Sequence, residues 1–214
     1  MKAPRRYTLP EAAVMTGIEV KTLHNAIDKK VVRTTNHPSK KDAVKHARMI
    51  SAGDLLKLKV WHSAGAMLPA NRRKELFADI EAKPAAETVR AGEFLLVEVG
   101  KVRTALAESE SELAEANNIV SIDRNVVGGE PVFRGTRIPV YAIVAMLADG
   151  ASEAEILEGY PKLDARLLRL GALWVAAHPR RGRPKGLQSE GFKTKPVVRK
   201  ASKQRSPARA KQTS

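Results

Sequence analysis

GGEPVFRGTRIPV, residues 128–140, holds three glycines, two prolines and two arginines between segments whose composition is typical of helices. Glycine and arginine together also occur in loops that bind phosphate. A P-loop, however, needs Gly-Lys-Ser/Thr at the start of a helix, and no lysine follows Gly135. The glycine spacing also differs from that of a dinucleotide-binding loop. The stretch therefore predicts a turn of the backbone and not a nucleotide site.

The residue types of this stretch indicate the geometry of the turn. Gly128 and Gly129 allow positive φ. The segments on either side of residues 134–136 predict two short extended arms joined by a turn. Pro139 favours the start of a helix, where its missing N–H costs nothing.

Three helices are predicted after the turn. The first ends at Gly150, the second begins at the capping box Ser152-x-x-Glu155, and Asp164 caps the third, which Pro179 stops. Together they predict a trihelical bundle. The side chains expected in its core are Ile143, Val144, Leu147, Ile156, Leu157, Leu167, Leu170, Leu173 and Trp174.

Residues 119–178 resemble the small homeodomain-like domain of the VapB-type antitoxin family, once known only as a domain of unknown function. The matching motifs are Gly129-Glu130-Pro131, Arg134 to Val140, Gly150 to Leu157 and Tyr160-Pro161. Members of this family are associated with toxins of the PIN ribonuclease class. The resemblance implies an antitoxin whose partner is a PIN-domain ribonuclease.

The charge of this rear segment does not favour DNA binding. Residues 120–178 carry 6 Lys or Arg and 7 Asp or Glu, whereas a duplex-binding face usually has an excess of cations. We therefore expect a structural or protein-binding role. Arg134 and Arg137 have two interpretations: a partner uses them, or they pair with Glu130 or Asp123 and hold the turn.

Residues 1–62 predict a winged helix-turn-helix domain. A capping box, Thr8-x-x-Glu11, begins one helix, Thr16-Gly17 ends it, and a second helix with an apolar face begins at Val20. Two β-prone segments, 31–35 and 43–50, then flank a basic turn and predict the wing. The side chains expected to contact DNA are Lys21, Thr22, His24, Asn25, Lys29, Arg33, His37, Lys40 and Lys41.

This front segment resembles the MerR and excisionase group of DNA-binding domains over roughly residues 6–62. The matching residues are Tyr7, Thr8, Glu11-Ala12-Ala13, Thr16-Gly17 and Lys21-Thr22-Leu23. One departure is Glu19, where the group favours Ser or Thr before the second helix. The resemblance implies operator binding. The residues alone also fit a small helical domain with a charged surface.

Residues 63–118 are interpreted as a connector. It contains a helix that Pro84 ends, a β-prone segment between Gly92 and Gly100, and a helix rich in Ala and Glu. In that last helix, spacings of four and three residues separate Val102, Leu106, Ser109, Leu113 and Ala116. This pattern fits either a seam between two copies of the chain or one face of an ordinary packed helix. We expect a homodimer, because winged DNA-binding domains often bind two half-sites.

Residues 179–214 hold 12 Lys or Arg against 1 acidic residue, and their low complexity predicts a disordered tail. Arg180, Arg181, Arg183 and Lys185 lie in or beside an Arg-Gly-Arg-Pro core similar to an AT-hook, which binds the minor groove. Three interpretations stay open. The tail tethers the protein to DNA, inserts arginines into the acidic metal site of a PIN toxin, or only keeps the protein soluble.

The charge distribution indicates nucleic acid as a partner. Residues 1–62 hold 13 Lys or Arg against 5 Asp or Glu, and residues 63–178 hold 13 against 17, so two basic ends flank an acidic middle. The absence of cysteine excludes disulfides and thiolate ligands, and the five histidines lack ligand spacing. We expect no metal and no cofactor. Without a signal peptide or an apolar run of about 18 residues, we expect no membrane association and a cytoplasmic location.

These patterns predict a mainly α chain with short β-strands: a winged helix-turn-helix, a trihelical homeodomain-like bundle and a disordered basic tail. The predicted function is an antitoxin that neutralises a PIN-domain ribonuclease and represses its own operon. The alternative is a stand-alone DNA-binding transcription regulator. An enzyme is not expected, because phosphodiester cleavage requires clustered carboxylates that hold metal, and the acids here are scattered.

Overall fold

Eight helices and seven short antiparallel strands form the part of the chain that the computed structural model describes, residues 5–32, 34–37, 47–63, 67–93 and 95–180. The prediction of a mainly helical chain with a few short strands is confirmed. Residues up to Arg180 form one compact unit. The tail from residue 181 onward lies outside the described residues. The boundaries at 62 and 118, and the assignment to a winged domain and a homeodomain-like bundle, stay predictions.

The front of the unit holds three strands and three helices. They are β1 (Arg6–Thr8), α1 (Leu9–Thr16), α2 (Val20–Asp28), β2 (Thr35–His37), β3 (Ala47–Ser51) and α3 (Ala52–Ser63). The strands form an antiparallel sheet in the order β1-β3-β2. The capping box of α1 is confirmed, since the Thr8 hydroxyl accepts the Glu11 N–H and the Glu11 carboxylate accepts the Thr8 N–H at 2.7 Å.

The remaining elements follow in two groups. The middle holds α4 (Ala70–Ala82), β4 (Thr88–Arg90), β5 (Leu96–Glu98) and α5 (Val99–Asn118), with β4 and β5 paired in a hairpin. The rear holds β6 (Val120–Ser121), a 3₁₀ turn (Val127–Gly129), β7 (Val132–Phe133), α6 (Val140–Ala148), α7 (Glu153–Gly159) and α8 (Ala165–Ala177). The caps predicted for α7 and α8 are confirmed: Ser152 accepts the Glu155 N–H and Asp164 accepts the Leu167 N–H.

Two apolar clusters form the core. The first extends from Tyr7 to Leu113 and also includes Ala177 at the end of α8. The second lies between Ala116 and Trp174. All nine side chains predicted for the core of the bundle contribute to the second cluster, four buried and five half-buried. The prediction missed four buried side chains, namely Phe133 in the turn, Val140 at the start of α6, Leu163 before α8 and Leu168 on α8.

The helix α5 is an ordinary packed helix. Leu106, Leu113 and Ala116 are buried, Val102 and Ser109 are half-buried, and the helix packs against α1, α3 and α8 of the same chain. A helical face that is covered inside the chain is not free to pair with a second copy. The interpretation of this face as a dimer seam is therefore wrong, and the homodimer stays a prediction without it.

The strand predicted at residues 31–35 is wrong in its first half. Val31 and Val32 form a bend, and β2 begins only at Thr35. Lys30 adopts φ 56°, and the Val31 N–H donates to the Ala26 carbonyl at 2.9 Å, which ends α2 tightly. Val32 is buried in the first cluster, so the chain runs towards the core before β2 begins.

The turn in residues 128–140 is confirmed. Gly128 and Gly129 adopt φ 64° and 87°. The Phe133 N–H donates to the Ile138 carbonyl at 3.0 Å, which closes the turn at residues 134–136. Immediately after Pro139, α6 begins. β7 also pairs with β6, which the sequence did not predict.

Of the two interpretations of Arg134, the one in which it pairs with Glu130 or Asp123 is wrong. Its guanidinium donates instead to the carbonyl oxygens of Asn118 and Val120, at the end of α5 and in β6. A carbonyl at a helix end lacks a partner inside the helix, so a nearby guanidinium satisfies it well. Within the described residues Arg137 makes no ion pair or hydrogen bond.

None of the helices in the described ranges has both the length and the apolar character that a membrane span requires.

Candidate nucleic-acid interface

A tight turn fixes the angle between α1 and α2. The Thr16 hydroxyl donates to the Ala12 carbonyl at 2.6 Å, and Gly17 adopts φ 70° while its N–H donates to the Ala13 carbonyl. A positive φ of this size suits glycine and strains residues that carry a Cβ. Ile18 directly after the turn is buried. The position of α2 is therefore set by the fold.

The inner face of α2 holds the helix on the core. Leu23 and Ala26 are completely buried, and Ile27 is half-buried against the first cluster. Glu19 precedes the helix and makes no side-chain cap. Packing of this apolar face, and not capping, therefore holds α2 in place.

The outer face of α2 carries the predicted DNA contacts. Lys21, His24, Asn25 and Lys29 are exposed, and Thr22 is half-buried. None of the four exposed side chains forms a hydrogen bond or ion pair with another described residue. Lys21 and Asn25 are four residues apart, so they lie one turn apart on the same face.

The predicted wing is described in part. β2 and β3 pair in register, with Asn36 opposite Arg48 and His37 opposite Ala47. Only the backbone of His37 is described, and Arg33, Lys40 and Lys41 lie outside the described residues. The pairing of β2 with β3 is therefore observed, and the wing and its DNA contacts stay predictions.

Sequence reasoning missed three cations in the front and middle of the unit. Arg48 is exposed on the central strand β3, and Lys30 is exposed directly after α2. Lys30 and Lys74 of α4 line the same groove. The alternation along β3 gave no signal for Arg48, since it would place Arg48 on the same face as Ile50, which is buried although Arg48 is exposed.

The sheet edge is tied to α5 through charged and aromatic groups. Arg5 forms an ion pair with Glu110 at 2.8 Å and lies 5.6 Å above the ring of Tyr7. Burial, and then the neighbouring carboxylate of Glu110, raise the pKa of the Tyr7 hydroxyl well above its usual range. Tyr7 is therefore a neutral core residue, and Arg5 is engaged within the chain.

The end of α8 is fixed against α6. The Tyr141 hydroxyl donates to the His178 carbonyl at 2.5 Å, and the His178 ring stacks on Trp174 with centroids 4.6 Å apart. Arg180 lies 4.4 Å above the Tyr141 ring and pairs with Glu130. The first predicted tail contact, Arg180, is thus bound inside the chain. The other three, Arg181, Arg183 and Lys185, lie outside the described residues.

Metal-binding groups are scattered in the described ranges, where no three His, Asp or Glu side chains come together. The charged groups that do meet form ion pairs. Lys57, for example, pairs with Asp54 at 3.5 Å and also with Glu81. The arrangement on α2 suits contact with an anionic macromolecule through donors at its surface.

Comparisons with known proteins bear on the rear segment. Residues 120–169 match a family model described as a protein of unknown function (DUF433). Uncharacterized protein y4eO from Sinorhizobium fredii is 41% identical over 91 residues, which are 42% of this chain and 41% of that protein. The chain therefore spans less than half the length of this relative.

One solved structure is similar over most of its length, the crystal structure of Rv2018 from Mycobacterium tuberculosis. It shares 19% identity with this chain and covers 77% of it, the match covers 95% of Rv2018, and the TM-score is 0.34. At this TM-score the likeness supports no statement about the fold. What the comparisons do establish is that residues 120–169 match a family whose description names no activity.

Proposed function

We propose that this protein is an antitoxin that binds operator DNA through the outer face of α2 and neutralises a PIN-domain ribonuclease through its rear segment or tail. The observation that carries the DNA-binding half is the exposed, uncompensated row Lys21, His24, Asn25 and Lys29 on a helix held by a packed inner face. The wing contacts Arg33, His37, Lys40 and Lys41 belong to the same proposal.

The chemistry of α2 supports contact with the major groove. The groove admits one helix, and Asn reads adenine while Lys reads guanine at their base edges. Lys21 and Asn25 lie in the first two turns of α2 and share one face. Lys29 at the end of the helix is placed to contact a phosphate. The rear segment is left for a protein partner, because its net charge is close to zero.

The resemblance of residues 119–178 to VapB-type antitoxins supports the second half of the proposal. The first experiment therefore tests the product of the adjacent gene as the binding partner. Full-length protein is mixed with the product of the adjacent reading frame, and association is measured by size-exclusion chromatography. Stable association with a nuclease, and loss of its RNA cleavage, is the expected result. DNA binding without any nuclease partner would instead support a stand-alone regulator.

The DNA-binding half is tested separately by fluorescence anisotropy on the upstream region of the gene. Lys21→Ala and Asn25→Ala are each expected to weaken binding by about 1–3 kcal/mol if the side chain reads a base. Lys162→Ala is the matched control, since Lys162 is exposed in the rear segment beyond α7. Unchanged affinity in both α2 variants would remove α2 as the DNA-reading helix.

A further inference from the structure

The helix α6 has an apolar outer face. From Val140 to Ala148 it contains no charged residue, in a chain of which 29% is charged. Its exposed positions are Ala142, Ala145, Met146 and Ala148, and Met146 is 41% exposed. A surface helix normally places polar side chains outward, and a helix that is apolar all round is covered. Something outside the described residues is therefore expected to cover α6.

Two charges of opposite sign lie close to the two ends of α6 in the sequence. Arg137 lies three residues before α6, and Asp149 lies directly after it at its C-cap. Both are exposed, and neither side chain has a partner among the described residues. Asp149 shares a face with Ala142, Ala145 and Met146 by helical spacing. A carboxylate at the C-terminal end of a helix interacts unfavourably with the helix dipole. The helix itself therefore gives no reason for an aspartate at position 149.

We propose that a second copy of this chain packs against α6 in an antiparallel, two-fold arrangement. A two-fold axis brings the start of one helix beside the end of the other, so Arg137 of each copy meets Asp149 of the other. Such a contact is self-complementary, as an isologous interface must be. The alanines allow close approach of the two helices, and the flexible Met146 side chain fills the remaining gaps.

The charge distribution leaves the rear segment as the part of the chain at which two copies can pack without repulsion. Residues 1–62 and 179–214 are strongly basic, so two copies repel each other at these ends. Residues 120–178 carry nearly equal numbers of both signs, and α6 itself carries none. The same neutral, apolar face offers nothing to a nucleic acid. This inference is independent of the DNA-binding half of the proposed function, since it concerns a different surface from α2.

The contact is small, which sets its expected strength. A helix of nine residues is about 13.5 Å long, and a pair of them buries less than the roughly 800 Å² per partner of a standard interface. We expect a weak dimer whose population depends on protein concentration. A wide concentration series of the full chain in sedimentation equilibrium measures its dissociation constant.

Met146→Glu tests the apolar part of the contact. It is expected to raise the dissociation constant by about tenfold or more, because the two-fold axis brings two unpaired carboxylates into the interface. Ala107→Glu is the matched control on the exposed side of α5 and leaves the dimer unchanged. Far-UV circular dichroism checks that both variants are folded.

A charge exchange tests the register. Arg137→Asp and Asp149→Arg each place like charges opposite each other and weaken the dimer several-fold, whereas the double variant restores it. Three results would each overturn the proposal: a wild-type monomer across the series, equal effects of Met146→Glu and Ala107→Glu, or a double variant no stronger than the singles. Each would leave the test of α2 on DNA unaffected.

Discussion

His178 and Glu11 join the end of α8 to the start of α1, with Nε2 and Oε1 3.9 Å apart. Glu11 is also the carboxylate that closes the capping box of α1, where it accepts the Thr8 N–H at 2.7 Å and the Thr8 hydroxyl at 2.9 Å. Ala177 beside His178 is buried in the first apolar cluster. One carboxylate therefore connects the helix that precedes α2 with the last helix of the rear segment.

Glu11→Ala is expected to lower the free energy of unfolding by about 1–2 kcal/mol, because it removes a helix cap and the contact with α8. The comparison is Glu155→Ala, which removes the same carboxylate from the equivalent capping box of α7. Glu155 is fully exposed and touches no second helix, so its loss should cost less. Urea unfolding measures both. Equal losses would mean that the contact with His178 contributes nothing.

Local features of this fold could be predicted from sequence. The caps Thr8, Ser152 and Asp164 depend on residues three positions away, so a short window contains both partners. The outer face of α2 followed from helical spacing in the same way. The spacing of residues within one helix indicates which side chains are buried and which are exposed. The predicted exposure of Lys21 and Asn25 is accordingly confirmed.

Long-range contacts could not be predicted. β1 pairs with β3 more than forty positions away, and Arg5 pairs with Glu110 over 105. One interpretation of Arg134 placed its guanidinium near a carboxylate, but backbone carbonyls 14 and 16 residues earlier hold it. Carbonyl groups are present at every residue, so composition gives no sign of which one an arginine reaches.

Arg134→Ala is expected to destabilise the rear segment by about 1–3 kcal/mol, because it leaves the carbonyls of Asn118 and Val120 without a charged donor. Arg124→Ala is the control, since Arg124 is an exposed arginine of the same segment with no partner among the described residues. Thermal or urea unfolding measures the difference. If both variants lose the same free energy of unfolding, the contact of Arg134 with these carbonyls does not contribute to stability.

Gly171 and Gly159 should respond oppositely to alanine. A Cβ at Gly171 of α8 would lie 2.9 Å from the ring of Phe133, which is 1% exposed and cannot easily move. Gly171→Ala is therefore expected to cost about 1–3 kcal/mol. At Gly159, in α7, nothing lies within 4 Å, so alanine gains helix propensity, up to about 1 kcal/mol. A gain at both positions would show that the Phe133 ring adapts.

The cap of α7 should give stability that depends on pH. Hydrogen bonds from the Ser152 N–H, and then from its hydroxyl, lower the pKa of Glu155. Because the pKa of this carboxyl is lower in the folded than in the unfolded chain, its contribution is present above the usual pKa of Glu and is lost as the pH falls through the folded value.

Ser152→Ala is therefore expected to destabilise the protein more at about pH 7 than at a pH below the folded pKa of Glu155, where this carboxyl is protonated in both states. Urea unfolding at the two pH values measures this. Ser109→Ala is the control, because the Ser109 hydroxyl donates to the Ala105 carbonyl and not to a carboxylate, so its effect should not change with pH. A loss for Ser152→Ala that is the same at both pH values would contradict the assigned bonds.

Lys29 and Asn25 should differ in how salt affects their contribution to DNA binding. Lys29 lies at the C-cap of α2, and Asn25 lies one turn earlier on the exposed side. A lysine that contacts phosphate releases counterions, so Lys29→Gln is expected to reduce the slope of log K against log salt by about 0.9, equally on all sequences. Anisotropy titrations at several salt concentrations measure the slope.

Asn25→Ala should instead leave the slope unchanged and reduce the preference for the upstream region over unrelated DNA, because a base contact specifies sequence and releases no counterion. Lys162→Gln controls for the loss of one positive charge anywhere on the surface. A general field effect would change the slope equally for Lys29 and Lys162. If Asn25→Ala weakens all sequences alike, α2 lies on the DNA backbone and does not read the groove.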